Sequence, residues 1–214
     1  MSLVGVEFMV YCYTAVGDSL TYGLGALPGS GFVPLYRRMA EEYVKEFVAY
    51  DQLGIPGLTS CELYERIRRD PQFRSSLKGA AIITISAGGN DLIRAAQDYE
   101  TDFRPELLEQ ALSRCKACWQ GMVNEICKLK KGGPASPYLI RAVGLYNPYP
   151  SRIEAAAYVH RLNGFLSGLL PTAQVYSLFA GREQELLSSD GLHPNAKGYR
   201  LIAEQLNRLG YRPL

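Results

Sequence analysis

Along this chain, short apolar β-rich runs alternate with stretches whose apolar positions recur every three to four residues. Residues 6–13 form the first run, which ends toward the turn Gly17-Asp18-Ser19. Phe32, Leu35, Tyr36, Met39 and Tyr43 then recur at helical spacing, predicting a helix near 31–46 with one buried face. A short second strand at 47–50 leads into the loop Gly54-Ile55-Pro56-Gly57-Leu58. Thr59 and Glu62 have capping-box spacing and open a helix over about 60–69.

Residues 80–86 are continuously apolar apart from Thr84 and Ser86, as in a strand covered on both faces, and stop at Gly88-Gly89-Asn90-Asp91. Leu108, Leu112, Cys115, Trp119, Met122 and Ile126 mark the buried stripe of a long helix over about 105–130. A fourth strand is predicted at 137–146, a helix near 151–170, and a fifth strand at 174–179. Pro194 suits the first position of a last helix, whose apolar face is Leu201, Ile202, Leu206 and Leu209. Five strands alternating with helices predict an α/β fold, a three-layer α/β/α sandwich around a five-stranded parallel sheet. No repeat, low-complexity tract or linker interrupts it, so residues 1–214 read as a single domain.

Composition narrows the function classes. A formal charge of +2 over 214 residues gives no electrostatic case for nucleic acid or an anionic membrane. The basic run Lys128-Leu129-Lys130-Lys131 complements a helix C-terminus. No apolar run reaches the ~20 residues that span a bilayer. The N-terminus lacks a cationic segment of the kind that opens a secretory signal. The five cysteines, an odd count, are scattered, which reads as reduced thiols in a cytoplasmic protein. Cys115 and Cys118 have CxxC spacing but lack the second pair or neighbouring histidine that a metal or redox role requires.

Two distant segments carry chemistry. Ser19 sits in Gly17-Asp18-Ser19-Leu20, and Asp190 and His193 sit in Asp190-Gly191-Leu192-His193-Pro194. A hydroxyl, an imidazole and a carboxylate are the parts of a nucleophile, its general base and the group orienting that base. The chain has only two histidines, and His160 lies on a helical stretch where a structural or surface role suffices. Ligands of open parallel sheets bind beyond the carboxyl ends of the strands, and Ser19, Gly57 and Asn90 each follow a predicted strand. Position 21 is Thr, which excludes the G-x-S-x-G nucleophile elbow, and no GxGxxG follows the first strand. Asp18 and Asp91 read as loop or cap residues, and Asn147-Pro148-Tyr149-Pro150 as a segment lining the pocket.

Gly17-Asp18-Ser19-Leu20, Gly57, Gly88-Gly89-Asn90-Asp91 and Asp190-Gly191-Leu192-His193-Pro194, in this order, resemble the four sequence blocks of the GDSL esterase/lipase family, or SGNH hydrolases. The resemblance implies a flavodoxin-like α/β/α fold and cofactor-free hydrolysis of a small-molecule ester through a Ser19 acyl-enzyme. It also implies an oxyanion hole built from the Ser19 and Gly57 N–H groups and the Asn90 side-chain amide. The Tyr146-Asn147-Pro148-Tyr149 segment looks like the Gram-positive bacterial lipase/acylhydrolase branch, which includes spore-associated members. Short-chain acyl esters or lysophospholipid-like lipids are the expected substrates. Carbohydrate acetyl esters, acyl thioesters and a non-catalytic ligand-binding role are the alternatives.

Overall fold

A computed structural model describes residues 10–102, 106–133 and 136–214. The chain runs through β1 (Tyr11–Gly17), α1 (Ser19–Tyr22), α2 (Phe32–Val44), β2 (Val48–Gly54), α3 (Ser60–Arg69) and α4 (Pro71–Gly79). It continues through β3 (Ile82–Ser86), α5 (Gly89–Asp102), α6 (Glu106–Lys131), β4 (Leu139–Val143) and α7 (Ile153–Leu169). The last elements are β5 (Thr172–Ala173), α8 (Tyr176–Phe179), α9 (Glu183–Leu186) and α10 (Ala196–Arg208). All strand pairs are parallel, in the order β2-β1-β3-β4-β5.

Each face of this sheet buries its own core, which is why β3 and β4 read as nearly unbroken apolar runs. Tyr13, Ala15, Ile82, Leu139 and Val143 pack with Phe32, Val33 and Tyr36 of α2 and Tyr199, Ile202 and Leu206 of α10. Val16, Ile83, Ile85, Ile140 and Ala142 point the other way, toward Leu63, Leu77, Trp119, Met122 and Leu162 of α3, α4, α6 and α7. Helices therefore cover both faces, and the predicted three-layer arrangement is observed. The strand β2 is an edge strand and more exposed than its neighbours.

Several predicted boundaries shift. The first strand occupies Tyr11–Gly17 rather than 6–13, of which residues 6–9 lie outside the described residues. The second extends to Gly54, because it pairs with β1 along its full length. The predicted fifth strand at 174–179 is overturned. Only Thr172–Ala173 pair with β4, and the chain then turns into α8. Val175 and Phe179, four apart and both fully buried, show the helical spacing that a strand reading of this apolar run overlooks.

Five of the described helices were not anticipated: the short α1, α8 and α9, and the longer α4 and α5. The Asp70-Pro71 pair that starts α4 has a clear start signal, since Asp70 accepts from the Gln72 and Phe73 N–H groups and Pro71 takes the first turn. Gly89, Leu92, Ile93 and Ala96 give α5 one apolar-to-small face. The Thr59/Glu62 capping box forms as expected. Pro194 does not open the last helix. Asn195 is its N-cap, accepting from Lys197 and Gly198, while Pro194 bridges back to Leu187.

The cysteine reading is corrected. Cys61 at the start of α3 is disulfide-bonded to Cys118 of α6, with Cα atoms 5.1 Å apart, whereas Cys12, Cys115 and Cys127 are free thiols. The partner of Cys118 is thus not its CxxC neighbour Cys115, which is buried with its thiol pushed up to about 12 by desolvation. Among the described residues, no helix is long and apolar enough to cross a membrane.

Closing a loop of 57 residues restricts the unfolded chain by about 4 kcal/mol in the chain-entropy account. Thiol titration of the denatured, unreduced protein is expected to find three thiols, rising to five after reduction. Cys61→Ser is expected to cost about 2–4 kcal/mol in urea unfolding. Five thiols without reduction would show that the bond does not form.

Candidate active site

The ends of β1, β2 and β3 lie in one row, with Gly17 paired to Gly54 on one side and Ser86 on the other. A Cβ at Gly17 would stand 2.3 Å from Ser86 Oγ and 2.4 Å from Thr21 Oγ1, so only glycine fits there. Those hydroxyls form a chain: Thr21 Oγ1 lies 2.8 Å from Ser86 Oγ, and Ser86 Oγ donates to Asp18 Oδ1 at 2.8 Å. Asp18 also caps α1 by accepting from the Leu20 N–H. Ser19 is the first residue of α1, where a helix leaves N–H groups without an internal acceptor.

His193 arrives from the far end of the chain. Its Nε2 is 2.9 Å from Ser19 Oγ, and its Nδ1 is 2.7 Å from Asp190 Oδ2. With Nδ1–H donating to the carboxylate, Nε2 is left as an acceptor facing the serine hydroxyl. Asp190 Oδ1 accepts three further bonds, from Ser188 Oγ and the Leu192 and His193 N–H groups, at 2.8–2.9 Å. Burial raises the Asp190 carboxyl, but the bonds from His193, Leu192 and Ser188 outweigh it and hold the group well below the usual carboxylate range. Asp190 therefore does not cap the last helix, a task Asn195 performs.

Asn90, in the first turn of α5, lines the same cleft as Ser19 and His193. Its Nδ2 donates to Leu58 O at 2.9 Å, so one of its two hydrogens holds the neighbouring loop and the second remains for the cleft. Gly57 is not among the residues lining that cleft. It occupies the third position of a turn in which the Leu58 N–H returns to Ile55 O, with φ +84 after Pro56, as in a type II turn. Open space surrounds its missing Cβ, so the turn conformation, rather than crowding, demands glycine at this position. The Arg94 guanidinium holds Gly57 O at 2.8 Å, and Asp91 accepts from both Ser60 N and Ser60 Oγ.

The sequence reading missed Ser188, Tyr146 and Arg94. Tyr146 lines the cleft and donates to Leu192 O at 2.6 Å, bracing the His193 loop while its ring stacks on Phe179. The Asp190-Gly191 pair signals a turn in which Leu192 and His193 fold back on the carboxylate, and Ser188 is its near neighbour. Arg94 stands four after Asn90, legible only once α5 is known to be a helix. His160 is exposed, its ring tilted at 46° against that of Tyr176, and it is not among the residues lining this cleft. Pro148 lines the cleft, and Asn147 and Tyr149 line the adjoining cavity. Among the described residues, no group of three or more His, Cys, Asp or Glu gathers as a metal site.

A serine, a histidine and an aspartate linked in series at the carboxyl edge of a parallel sheet form the arrangement of serine-dependent acyl hydrolases. Residues 15–201 match the model of the GDSL-like Lipase/Acylhydrolase family, and the chain belongs to that family, a carboxylic ester hydrolase by class. It is 36% identical over 209 residues to the spore germination lipase LipC of Bacillus licheniformis, covering 95% of this chain and 98% of that protein. The crystal structure of the lipase Lip_vut3 from a goat rumen metagenome superposes with a TM-score of 0.87 at 36% identity, covering 94% of this chain and 98% of that one. The acetylxylan esterase Axe2 from Geobacillus stearothermophilus shares the fold, with a TM-score of 0.67 at 19% identity and 94% of each chain covered.

Burial pushes the Asp18 carboxyl up from 3.8 to about 6, against the bonds from Ser86 and Leu20. The folded chain then holds a proton that the unfolded chain releases, so this group removes stability as pH rises from about 4 to about 6. Asp18→Asn is expected to abolish that decline, on the order of 3 kcal/mol, when urea midpoints are compared across this range. An unchanged pH dependence in the variant would show that Asp18 is not its source.

Proposed function

We propose that this protein hydrolyses carboxylic esters through an acyl-enzyme on Ser19, with His193 as general base and acid and Asp190 as the group orienting it. The observation that carries this reading is the series Ser19 Oγ–Nε2 His193 Nδ1–Oδ2 Asp190, at 2.9 and 2.7 Å. As Ser19 Oγ bonds to the ester carbon, its proton passes to His193 Nε2. The tetrahedral intermediate collapses by breaking the bond to the leaving oxygen, which takes that proton from His193. A water then attacks the acyl-enzyme with His193 again as base, releasing the acid and restoring Ser19.

Asp190 remains ionised throughout and stabilises the imidazolium. Its Oδ1 is held by three donors, so the carboxylate cannot rotate away when the ring charges. The oxyanion is assigned to the Ser19 N–H, the Gly57 N–H and the second Asn90 hydrogen. Gly57 lies outside the cleft wall, and its turn is tied to the site through Asn90 and Arg94. The working unit is read as one domain over 1–214, acting on a small-molecule ester without a cofactor.

The cytoplasmic reading takes the five scattered cysteines as reduced thiols, and the Cys61–Cys118 bond counts against that ground. The germination role in the name of the Bacillus relative favours association with the spore.

Ser19→Ala is expected to abolish turnover of p-nitrophenyl acetate and butyrate and to prevent covalent labelling by a fluorophosphonate. His193→Ala is expected to lose the label while leaving the fold intact by circular dichroism. Wild-type turnover in Ser19→Ala would end the acyl-enzyme proposal.

Removing an oxyanion donor costs about 2.7–4 kcal/mol in the transition state, so Asn90→Ala is expected to lower kcat by about 10²- to 10³-fold. KM should change much less. A fall in kcat/KM carried entirely by KM would instead assign Asn90 to substrate binding.

A further inference from the structure

The side-chain amide of an asparagine turns on a torsion with no sharp preferred angle, so a partner outside the residue must fix where its hydrogens point. One N–H of the Asn90 amide donates to Leu58 O at 2.9 Å. Both hydrogens lie in one rigid plane, so the direction of the second follows from the position of the Leu58 carbonyl. What aims Asn90 is therefore whatever holds the peptide units between Gly57 and Ser60.

Side chains grip three successive units there. In the unit joining Gly57 to Leu58, the carbonyl accepts from the Arg94 guanidinium at 2.8 Å, while the Leu58 N–H makes only a long 3.4 Å return to Ile55 O. In the unit joining Leu58 to Thr59, the carbonyl takes the Asn90 bond and the N–H donates to Glu62 Oε2 at 2.8 Å. In the third, the Ser60 N–H donates to Asp91 Oδ2 at 2.7 Å. Arg94 serves two of the three units, because its other terminal nitrogen lies 3.4 Å from Glu62 Oε1. The chain of contacts from Asn90 through Leu58, Thr59 and Glu62 thus closes at Arg94, one turn further along α5. The Arg94 and Glu62 side chains are 53% and 48% exposed, and an ion pair so placed contributes at most about 1 kcal/mol to folding.

We infer that Arg94 is a positioning residue for the reaction: by holding Gly57 O and Glu62 together it fixes the Leu58 carbonyl, which aims the second Asn90 hydrogen into the cleft beside Ser19. The inference deepens the proposed mechanism and rests on Asn90 as an oxyanion donor. Arg94 is not among the residues lining that cleft, so it acts through Asn90 rather than on a substrate. The geometry calls for a guanidinium. Its fork reaches Gly57 O and Glu62 at once, whereas a lysine ammonium is a single point of charge. An oxyanion donor is effective only when it is held in place before charge develops. Loosening the Leu58 carbonyl therefore weakens the transition state more than it weakens substrate binding.

The test measures kcat and KM on p-nitrophenyl butyrate for wild type, Arg94→Met, Arg94→Lys, Asn90→Ala and the double variant of Asn90→Ala with Arg94→Met. Arg94→Met is expected to lower kcat about five- to twentyfold with KM within about twofold of wild type, and Arg94→Lys to recover part of that loss. The deciding readout is the coupling between the two residues. With Asn90 already removed, Arg94→Met is expected to cost less than about twofold in kcat. An arginine that only supports the fold lowers kcat by the same factor in both backgrounds, and that additivity overturns the inference. So does an unchanged kcat in Arg94→Met, or a loss carried by KM alone. If Arg94→Met does not fold by circular dichroism, Arg94→Lys takes its place in the cycle, with a loss of about threefold expected and the same outcomes deciding. Failure of the underlying mechanism looks different. Wild-type kcat in Asn90→Ala removes the oxyanion role of Asn90 and the inference with it, whereas a loss in Asn90→Ala with none in Arg94→Met refutes the positioning role alone.

Discussion

The row in which Gly54, Gly17 and Ser86 pair across three parallel strands is the constraint on which the site depends. Each strand hands over to its loop at the same height, so the loops carrying Gly57, Ser19 and Asn90 start from a common level. The lock is steric as well as hydrogen-bonded. Gly17 leaves room for the Thr21 and Ser86 hydroxyls, and Ser86 in turn reaches Asp18, the cap of the helix that begins with Ser19. A side chain at 17 would push β3 from β1 and displace the serine and the Asn90 turn together. The glycine of the Gly-Asp-Ser motif thus acts through packing and the aspartate through capping, and neither needs to touch a substrate.

His193 is delivered by a separate construction. After β5 the chain leaves the sheet, passes through two short helices and folds residues 188–193 into a loop closed by the Leu187–Pro194 bridge. The Ser188 N–H to His193 O bond tightens that loop, and Tyr146 braces it from the end of β4. Because Asn195 satisfies the first turn of α10, Asp190 keeps both carboxylate oxygens for its own loop and for the imidazole. A stable sheet edge on one side and a self-bonded loop on the other meet across one 2.9 Å contact spanning 174 residues of sequence.

What was legible in the sequence follows from the range of each interaction. Motif residues at strand ends could be read because turn chemistry is local: Asp18 as a cap, Pro56-Gly57 as a turn, Thr59 with Glu62 as a capping box. The parallel sheet could be read because burial on both faces leaves continuous apolar runs. The region after 174 could not, since Val175 and Phe179 look equally apolar in a strand or in a helical turn. Only the termination of pairing at Ala173 decides between them. The Cys61–Cys118 bond was hidden for a related reason. Its partners are 57 residues apart, and the nearer CxxC spacing of Cys115 and Cys118 points to the wrong pair.

Recognising α5 as a helix changes how the site is understood. Its first turn places Asn90 in the cleft, and Asn90, Asp91 and Arg94 together hold Leu58, Ser60 and Gly57 of the neighbouring loop. Its apolar face, one residue further round at Leu92, Ile93 and Ala96, forms the wall of the larger cavity. One helix therefore both ties down the neighbouring loop and walls a cavity, because the two tasks fall on different faces of the same turns. Anything bound along that face would press on the helix whose first turn carries Asn90. Binding energy gained far from the reacting carbon can then act on the geometry at the carbon, the condition under which remote contacts raise kcat rather than merely lower KM.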